Sequence, residues 1–136
     1  MKMLLVILSF ISVGFISCSG GKTNFAKAEN AFDAGREFID GCLKGDFEKA
    51  AFYMKADSTN KTSLEKLEIE FNKKSQEEKK HFEDASIVIL DDETVDESTH
   101  IINYKNSYDN IARKLKVVLT DAGWLVDLKY TFNGNL

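Results

Sequence analysis

Apolar residues in the first half of the chain recur at helical spacing. From residue 27 to residue 44 they return every three or four positions, and charged residues occupy the opposite face. This pattern predicts an amphipathic helix whose apolar stripe packs on a partner surface. Gly45 predicts a left-handed stop to this helix, and Asp46 predicts the cap of a second, shorter helix that reaches Met54. The two residues therefore predict a tight corner between two helices.

A third helix is predicted to begin near Thr62. This threonine stands three residues before Glu65, which is the spacing of a capping box. Leucines and a phenylalanine at helical spacing then predict a buried stripe. Over 72–80 the stripe gives way to charged residues. We interpret that stretch as a solvated helix end that breaks before Phe82 returns the chain to the core.

The second half of the chain changes to the alternating period of β-strands. Four runs rich in β-branched and aromatic residues predict strands. In the last run the even-numbered residues from Trp124 to Phe132 share one face. Asp121, Ala122 and Gly123 fit a three-residue turn before it, with the glycine in the left-handed position. The four runs are 86–90, 99–104, 111–119 and 124–132.

Short connections between the four runs predict an antiparallel meander. We therefore expect an α+β fold in which three N-terminal helices pack on a four-stranded antiparallel sheet, with one face wet and one face dry. The length of 136 residues matches one domain, which we place at residues 27–133.

The beginning of the chain has the pattern of an export signal. Lys2 is followed by an apolar run from Leu4 to Ile16, shorter than the ~20 residues that a membrane-spanning helix needs. Cys18 comes directly after a small residue at the end of this run. We predict that residues 1–17 are a cleaved signal peptide and that residues 18–26 are a small, polar tether. A permanent membrane anchor and an ordinary secretory leader are the alternatives.

Phe15-Ile16-Ser17-Cys18 resembles the lipobox of bacterial lipoproteins. The strict pattern prefers a leucine before the cysteine, and this segment looks more like the relaxed lipobox of Bacteroidetes lipoproteins. The resemblance implies that Cys18 carries a diacylglyceryl group and becomes the first residue of the mature chain. Two acyl chains, at ~0.8 kcal/mol per buried methylene, would hold the protein on a membrane. Because no acidic residue follows Cys18 directly, the resemblance also implies the periplasmic side of the outer membrane.

Two segments of the predicted domain resemble a known fold. They are Phe38-Ile39 with the following Lys44-Gly45-Asp46-Phe47-Glu48-Lys49-Ala50, and the closing Gly123-Trp124-Leu125-Val126-Asp127. Over about residues 27–132 the chain resembles small bacterial lipoproteins of unknown function with a nuclear-transport-factor-two-like, or cystatin-like, α+β cone. This implies a sheet curled around the helices, with a pocket at its wide end. Relatives in the wider superfamily include isomerases, dehydratases and binding proteins, so the fold does not specify a function.

The charge of the chain argues against a nucleic-acid partner. The formal net charge is −4. Removal of residues 1–17 takes away one lysine and leaves 17 basic and 22 acidic side chains, a charge of −5. Binding to phosphates needs clustered lysines and arginines instead. Cys42 is then the one thiol besides Cys18, so no internal disulfide is expected.

No metal or cofactor is predicted. One free thiol and two distant histidines do not supply the four ligands of a zinc site. Five carboxylates lie within 91–97, but this run lacks the spacing and the turn glycine of a calcium loop. We interpret the run as a hairpin tip that charge keeps soluble.

The candidate pocket residues are Tyr53, His100, Tyr104 and Tyr130. His100 shares a predicted strand face with Tyr104, and an inward histidine beside a tyrosine can act as a general base. A structural histidine near the sheet edge is the alternative. Cys42 lies on the apolar stripe of the first helix, where we expect a core thiol with a raised pKa.

The sequence predicts an exported, lipid-anchored, non-catalytic binding or assembly module of the cell envelope. Its partners would be the membrane, through the lipid, and an unidentified protein or small molecule. A small pocket enzyme of the isomerase or dehydratase type is one alternative, and it needs at least two convergent ionisable groups. An inhibitor or immunity lipoprotein is another, and it needs an acid-rimmed apolar patch.

Overall fold

The computed structural model describes residues 24–132, which form an α+β fold. Four helices precede a four-stranded antiparallel sheet and one short helix follows it. The predicted class and sheet are confirmed, whereas the prediction of three helices is wrong. Over these residues the elements are α1 Ala31–Lys44, α2 Phe47–Phe52, α3 Ser58–Lys73, α4 Gln76–Glu83, β1 Ile87–Asp96, β2 Thr99–Asn106, β3 Arg113–Thr120, β4 Gly123–Val126 and α5 Lys129–Phe132.

The corner between α1 and α2 is built as predicted. Gly45 has φ +70°, in the left-handed region, and the N–H of Asp46 donates to the Gly41 carbonyl at 2.9 Å. The Asp46 side chain then accepts from the N–H of Lys49 at 2.9 Å and caps α2. The predicted start of α1 at residue 27 is wrong, because the side chain of Asn30 caps the helix and fixes its start at the next residue.

The third predicted helix is two helices. The predicted capping box at Thr62 is wrong, since α3 begins four residues earlier, where Asp57 accepts from the N–H of Asn60. The predicted break within 72–80 is confirmed. There Ser75 and Glu78 form a reciprocal capping box that starts α4.

The sheet is the predicted meander, in the order β1-β2-β3-β4. β1 is longer than predicted, because the acidic run pairs with β2, with Asp92 opposite Ile102 and Glu93 opposite Ile101. The interpretation of 91–97 as a hairpin tip is therefore wrong for residues 91–96, which belong to β1. On an edge strand, carboxylates stay in water while the backbone pairs, and such charges discourage pairing with other chains.

The predicted fourth strand is wrong beyond Val126. The buried side chain of Asn60, which is 0% exposed, donates to Asp127 Oδ1 at 3.2 Å and accepts from the N–H of Lys129 at 2.7 Å. These bonds turn the chain away from the sheet and start α5. Tyr130 therefore lies on a helix rather than on a strand.

The predicted three-residue turn before β4 has two residues. Thr120 pairs with Gly123, so that Asp121 and Ala122 form the turn. Gly123 has φ +110°, a backbone conformation that favours glycine. β3 begins at Arg113, and the Ile111 side chain before it is exposed rather than part of the buried face.

The core lies between α1 and the inner face of the sheet. Residues 53–55 extend the sheet beyond β4: Val126 donates its N–H to the Tyr53 carbonyl at 2.8 Å and accepts from the N–H of Lys55 at 2.9 Å. This bridge covers the Val126 end of the β4 edge, and β1 forms the other edge of the sheet among the described strands. The largest fully buried side chains of the core are Phe38, Ile39, Ile102, Leu115, Leu128, Val117 and Val126.

Candidate functional site: an apolar cavity

A cavity of about 540 Å³ opens between the helices and one end of the sheet. All five helices contribute to its walls, together with the ends of β2 and β3. This volume falls within the range of small-molecule sites, and an apolar cavity of about 150 Å³ already accepts benzene. The apolar part of the wall consists of Phe38, Ile39, Leu43, Phe47, Leu67, Phe71, Phe82, Ile111 and Leu128.

Four uncharged polar residues line the cavity, namely Cys42, Tyr104, Asn106 and Thr131, and two of them, Tyr104 and Cys42, have shifted pKa values. Burial raises the pKa of the Tyr104 hydroxyl above its usual value, and the neighbouring Cys42 raises it further. Burial also raises the pKa of Cys42 to about 12, which confirms the direction predicted for this thiol. Both groups are therefore protonated and uncharged at neutral pH, and both are hydrogen-bond donors.

An ion pair lies at the cavity, at the start of β3. Both terminal guanidinium nitrogens of Arg113 donate hydrogen bonds to the Asp109 carboxylate, Nη2 at 2.6 Å and Nη1 at 3.2 Å. Burial alone would raise the pKa of Asp109, but hydrogen bonds from Arg113, the Ile111 N–H and Asn106 outweigh it and lower the pKa. The hydrogen bond from Asp109 in turn raises the pKa of Arg113. The charges of Arg113 and Asp109 are thus paired with each other.

Lys74 is another cation at the cavity, at the end of α3. Its ammonium lies 4.9 Å from the centre of the Phe82 ring, which is within cation–π range. Glu70, on the same side, is held by Lys73 at 2.7 Å. The charged groups that line the cavity therefore have partners, and most of the remaining wall is apolar.

Tyr53 lies outside the 540 Å³ cavity. Its hydroxyl donates to the Ala26 carbonyl at 2.6 Å, and its ring lies 6.4 Å from that of Phe25. Burial raises the pKa of this hydroxyl, and the charge of Glu37 adds to the effect. Tyr53 thus holds the segment around Ala26 against the domain.

His100 also lies away from the cavity. Its Nδ1 lies 3.0 Å from Asp92 Oδ1 on the neighbouring strand, and its ring meets Trp124 edge-on at 5.5 Å between centres. The His100 side chain is 22% exposed. The sequence analysis missed this pair, because a cross-strand contact joins residues eight positions apart and depends on the register of the sheet.

Tyr130 lies on α5, beneath Lys116, whose ammonium is 5.8 Å from the centre of the ring. The four residues predicted for one pocket are therefore distributed over several places. Tyr104 lines the apolar cavity, whereas Tyr53, His100 and Tyr130 do not.

A second, polar recess of about 770 Å³ lies beside the entering segment 24–27. Here Lys49 bridges Asp40, at 2.8 Å, and Glu37. Burial opposes the charge of Lys49, but hydrogen bonds and attraction from these carboxylates prevail and raise its pKa. The paired charges hold α2 against α1 and indicate a structural role.

Within residues 24–132 no group of three or more histidine, cysteine, aspartate or glutamate side chains is placed to hold a metal ion.

Over the same described range, none of the helices has the length and apolar character needed to cross a membrane.

Cys18 and the predicted signal peptide lie outside the described residues. Comparison of the chain with protein-family models, with curated proteins and with solved structures found no match.

Sequence reasoning missed most of the cavity wall. Phe71 and Leu67 were assigned to a helix stripe, and Arg113 was assigned no role. A stripe shows which side of a helix faces inward, but not whether that side meets another side chain or an empty space. A signal in the sequence was the large apolar residues on the stripes of α1 and α3, which supply Phe38, Leu67 and Phe71 to the wall.

Proposed function

We propose that this chain is an exported, lipid-anchored, non-catalytic binding module of the cell envelope, on the periplasmic side of the outer membrane. In this proposal Cys18 carries the lipid, and the 540 Å³ cavity binds a small apolar ligand. The cavity is the observation that carries the binding function. The α+β fold with an open antiparallel sheet is compatible with a cystatin-like cone, which we include in the proposal.

The size of the cavity supports binding rather than simple packing. Protein interiors are as dense as organic crystals and contain few voids larger than a water molecule. Phe71 and Phe82 border the cavity without closing it. A ligand of matching shape would recover the contacts that these rings lack.

The chemistry of the wall supports a non-catalytic site. A general base needs a group that accepts a proton near neutral pH. Tyr104 and Cys42 are protonated there, and Asp109 is engaged by Arg113. The enzyme alternative relied on His100, which does not line this cavity.

The inhibitor alternative needs an acid-rimmed apolar patch. β1 exposes Val88 and Leu90 next to Asp91 and Asp92. Charges on an edge strand also serve to keep it from pairing with other chains. The acidic residues of this patch therefore have a structural explanation, and we favour the cavity as the binding site.

Filling the cavity is expected to abolish binding of an apolar probe. Leu67 lines the cavity, whereas Ile69, two residues along α3, is 53% exposed and does not. We expect Leu67→Trp to weaken binding of the uncharged dye N-phenyl-1-naphthylamine at least about tenfold. Dye fluorescence measures the binding, and thermal melting shows that the variant is folded.

Ile69→Trp is the matched control and is expected to keep the affinity within about twofold. The binding proposal fails when the dye does not bind the wild type saturably, or when the two tryptophan variants bind it equally.

Loss of the proposed lipid is expected to release the protein from membranes. Cys18→Ser removes the sulfur that would carry two acyl chains, which together anchor a protein that one chain would hold only weakly. Cell fractionation should then find the variant in the soluble fraction and the wild type in the membrane fraction. Cys42→Ser is the control and should stay with the membranes. Membrane association of Cys18→Ser would contradict lipidation.

A further inference from the structure

The Tyr104 hydroxyl is available to a ligand. No described residue forms a hydrogen bond with it, although no buried side-chain nitrogen or oxygen of the described chain lacks a partner. The hydroxyl is therefore not sealed within protein, and its oxygen keeps accessible surface. Tyr104 is half-buried and lines the cavity, so this surface can be reached from the cavity.

Near Tyr104 the cavity offers hydrogen-bond donors, and the charges there, Arg113 and Asp109, are paired with each other. Tyr104 and Cys42 both stay protonated, for the reasons given above. A charged ligand group beside Tyr104 would lose its water and find the nearest ions, Arg113 and Asp109, already paired, so its transfer would cost free energy. An uncharged acceptor would instead receive a hydrogen bond.

The ions that line the cavity are already engaged. Arg113 Nη2 donates a hydrogen bond to Asp109 Oδ2 at 2.6 Å, and the Lys74 ammonium lies over the Phe82 ring. Withdrawing Arg113 from its carboxylate would leave a half-buried Asp109 unpaired.

We propose, on the basis of the binding function proposed above, that the ligand is an uncharged, mainly apolar compound with a carbonyl-type oxygen that accepts a hydrogen bond from Tyr104. The hydrocarbon part fills the space between Leu67, Phe71 and Phe82. Tyr104 thus selects the ligand by its oxygen, and the rings select it by its apolar bulk.

A matched pair of probes tests this inference. Benzophenone and diphenylmethane have nearly the same shape, and only benzophenone has a carbonyl. We expect Tyr104→Phe to weaken benzophenone binding about tenfold, or about 1.4 kcal/mol, and to change diphenylmethane binding less than about twofold. Calorimetry or competition with the naphthylamine dye measures both affinities. Tyr108→Phe, at an exposed tyrosine outside the cavity, is the control and should change neither affinity.

Charge is tested with 4-benzoylbenzoate, which adds a carboxylate to the same ketone. We expect it to bind the wild type at least about tenfold more weakly than benzophenone. Irradiation of bound benzophenone should also cross-link it to the peptide that contains Tyr104.

The outcomes separate this inference from the proposed function. Equal losses for both probes in Tyr104→Phe, or equal binding of the carboxylate, would overturn the selection by Tyr104 but leave an apolar binding site. Failure of benzophenone, diphenylmethane and the dye alike to bind the wild type would overturn the binding function itself.

Discussion

Replacing Asn60 by alanine is expected to lower the free energy of unfolding by about 3 kcal/mol. Asn60 is fully buried, and its carboxamide joins the start of α3 to the turn between β4 and α5. It donates to Asp57 at 2.7 Å and to Asp127, and it accepts from Lys129 N–H. Alanine leaves the buried Asp127 carboxylate and the Lys129 N–H without this partner. Urea denaturation followed by circular dichroism measures the change.

Asn72→Ala is the matched control, since Asn72 is exposed near the other end of α3. Its expected effect is within about 0.5 kcal/mol.

Asn60→Asp keeps the shape but places a carboxylate between Asp57 and Asp127. Repulsion would raise the pKa of the new carboxyl in the folded state. We therefore expect Asn60→Asp to be less stable than wild type above that pKa, and we expect this loss of stability to shrink as the pH falls. Equal stabilities of Asn60→Ala and Asn72→Ala would contradict this role of Asn60.

Gly45→Val is the second substitution with a large expected effect, a loss of about 2 kcal/mol or more. Gly45 has φ +70°, which a β-branched residue tolerates poorly. A Cβ at this position would also lie 2.5 Å from Cε1 of Phe71. The Phe71 ring would have to move, and it forms part of the cavity wall. We therefore expect a lower melting temperature together with altered binding of the naphthylamine dye.

Two companion variants separate the causes of this loss. Gly45→Asn keeps a residue that adopts the left-handed conformation more readily, so it should lose less stability than Gly45→Val. Lys44→Val places the same side chain in the last turn of α1, where the backbone is helical, and should cost about 0.5 kcal/mol. A melting temperature of Gly45→Val equal to that of Lys44→Val would show that the conformation of the corner does not matter.

Local signals predicted some of the boundaries that are decided by neighbouring residues, although the local caps of α1 at Asn30 and of α3 at Asp57 were missed. The α1–α2 corner depends on Gly45 and on the cap at Asp46, which lie next to each other in the chain. The break before α4 depends on Ser75 and Glu78, three residues apart. In such cases the partner of each backbone group can be found within one turn of helix.

Elements whose ends are decided by distant residues were predicted wrongly. The alternating pattern after Val126 continues to favour a strand, but Asn60, 67 residues away from Asp127, ends it. β1 gave the opposite error, because pairing with β2 extends it through acidic residues of low strand propensity. Tertiary contacts outweighed the local preference in both cases.

The candidate site was predictable to a smaller extent than the fold. Strand alternation placed Tyr104 and His100 on one face, and the apolar stripe of α1 placed Cys42 in the core, but neither pattern brought Tyr104 and Cys42 together. The cavity itself is the space left between these elements, and its volume depends on how far α3 and α4 stand from the sheet. Neither spacing nor composition encodes that distance.

The bond between Tyr53 and Ala26 has a mechanical consequence. Tension on the N-terminal segment passes from Ala26 to the Tyr53 hydroxyl, and the Tyr53 carbonyl is itself bonded to Val126 of β4. A pull at this end therefore loads the backbone bridge at the sheet edge, and Tyr53 is not part of the cavity wall. This contact gives such a load a second path beside the backbone into α1, and that path reaches the sheet away from the cavity wall.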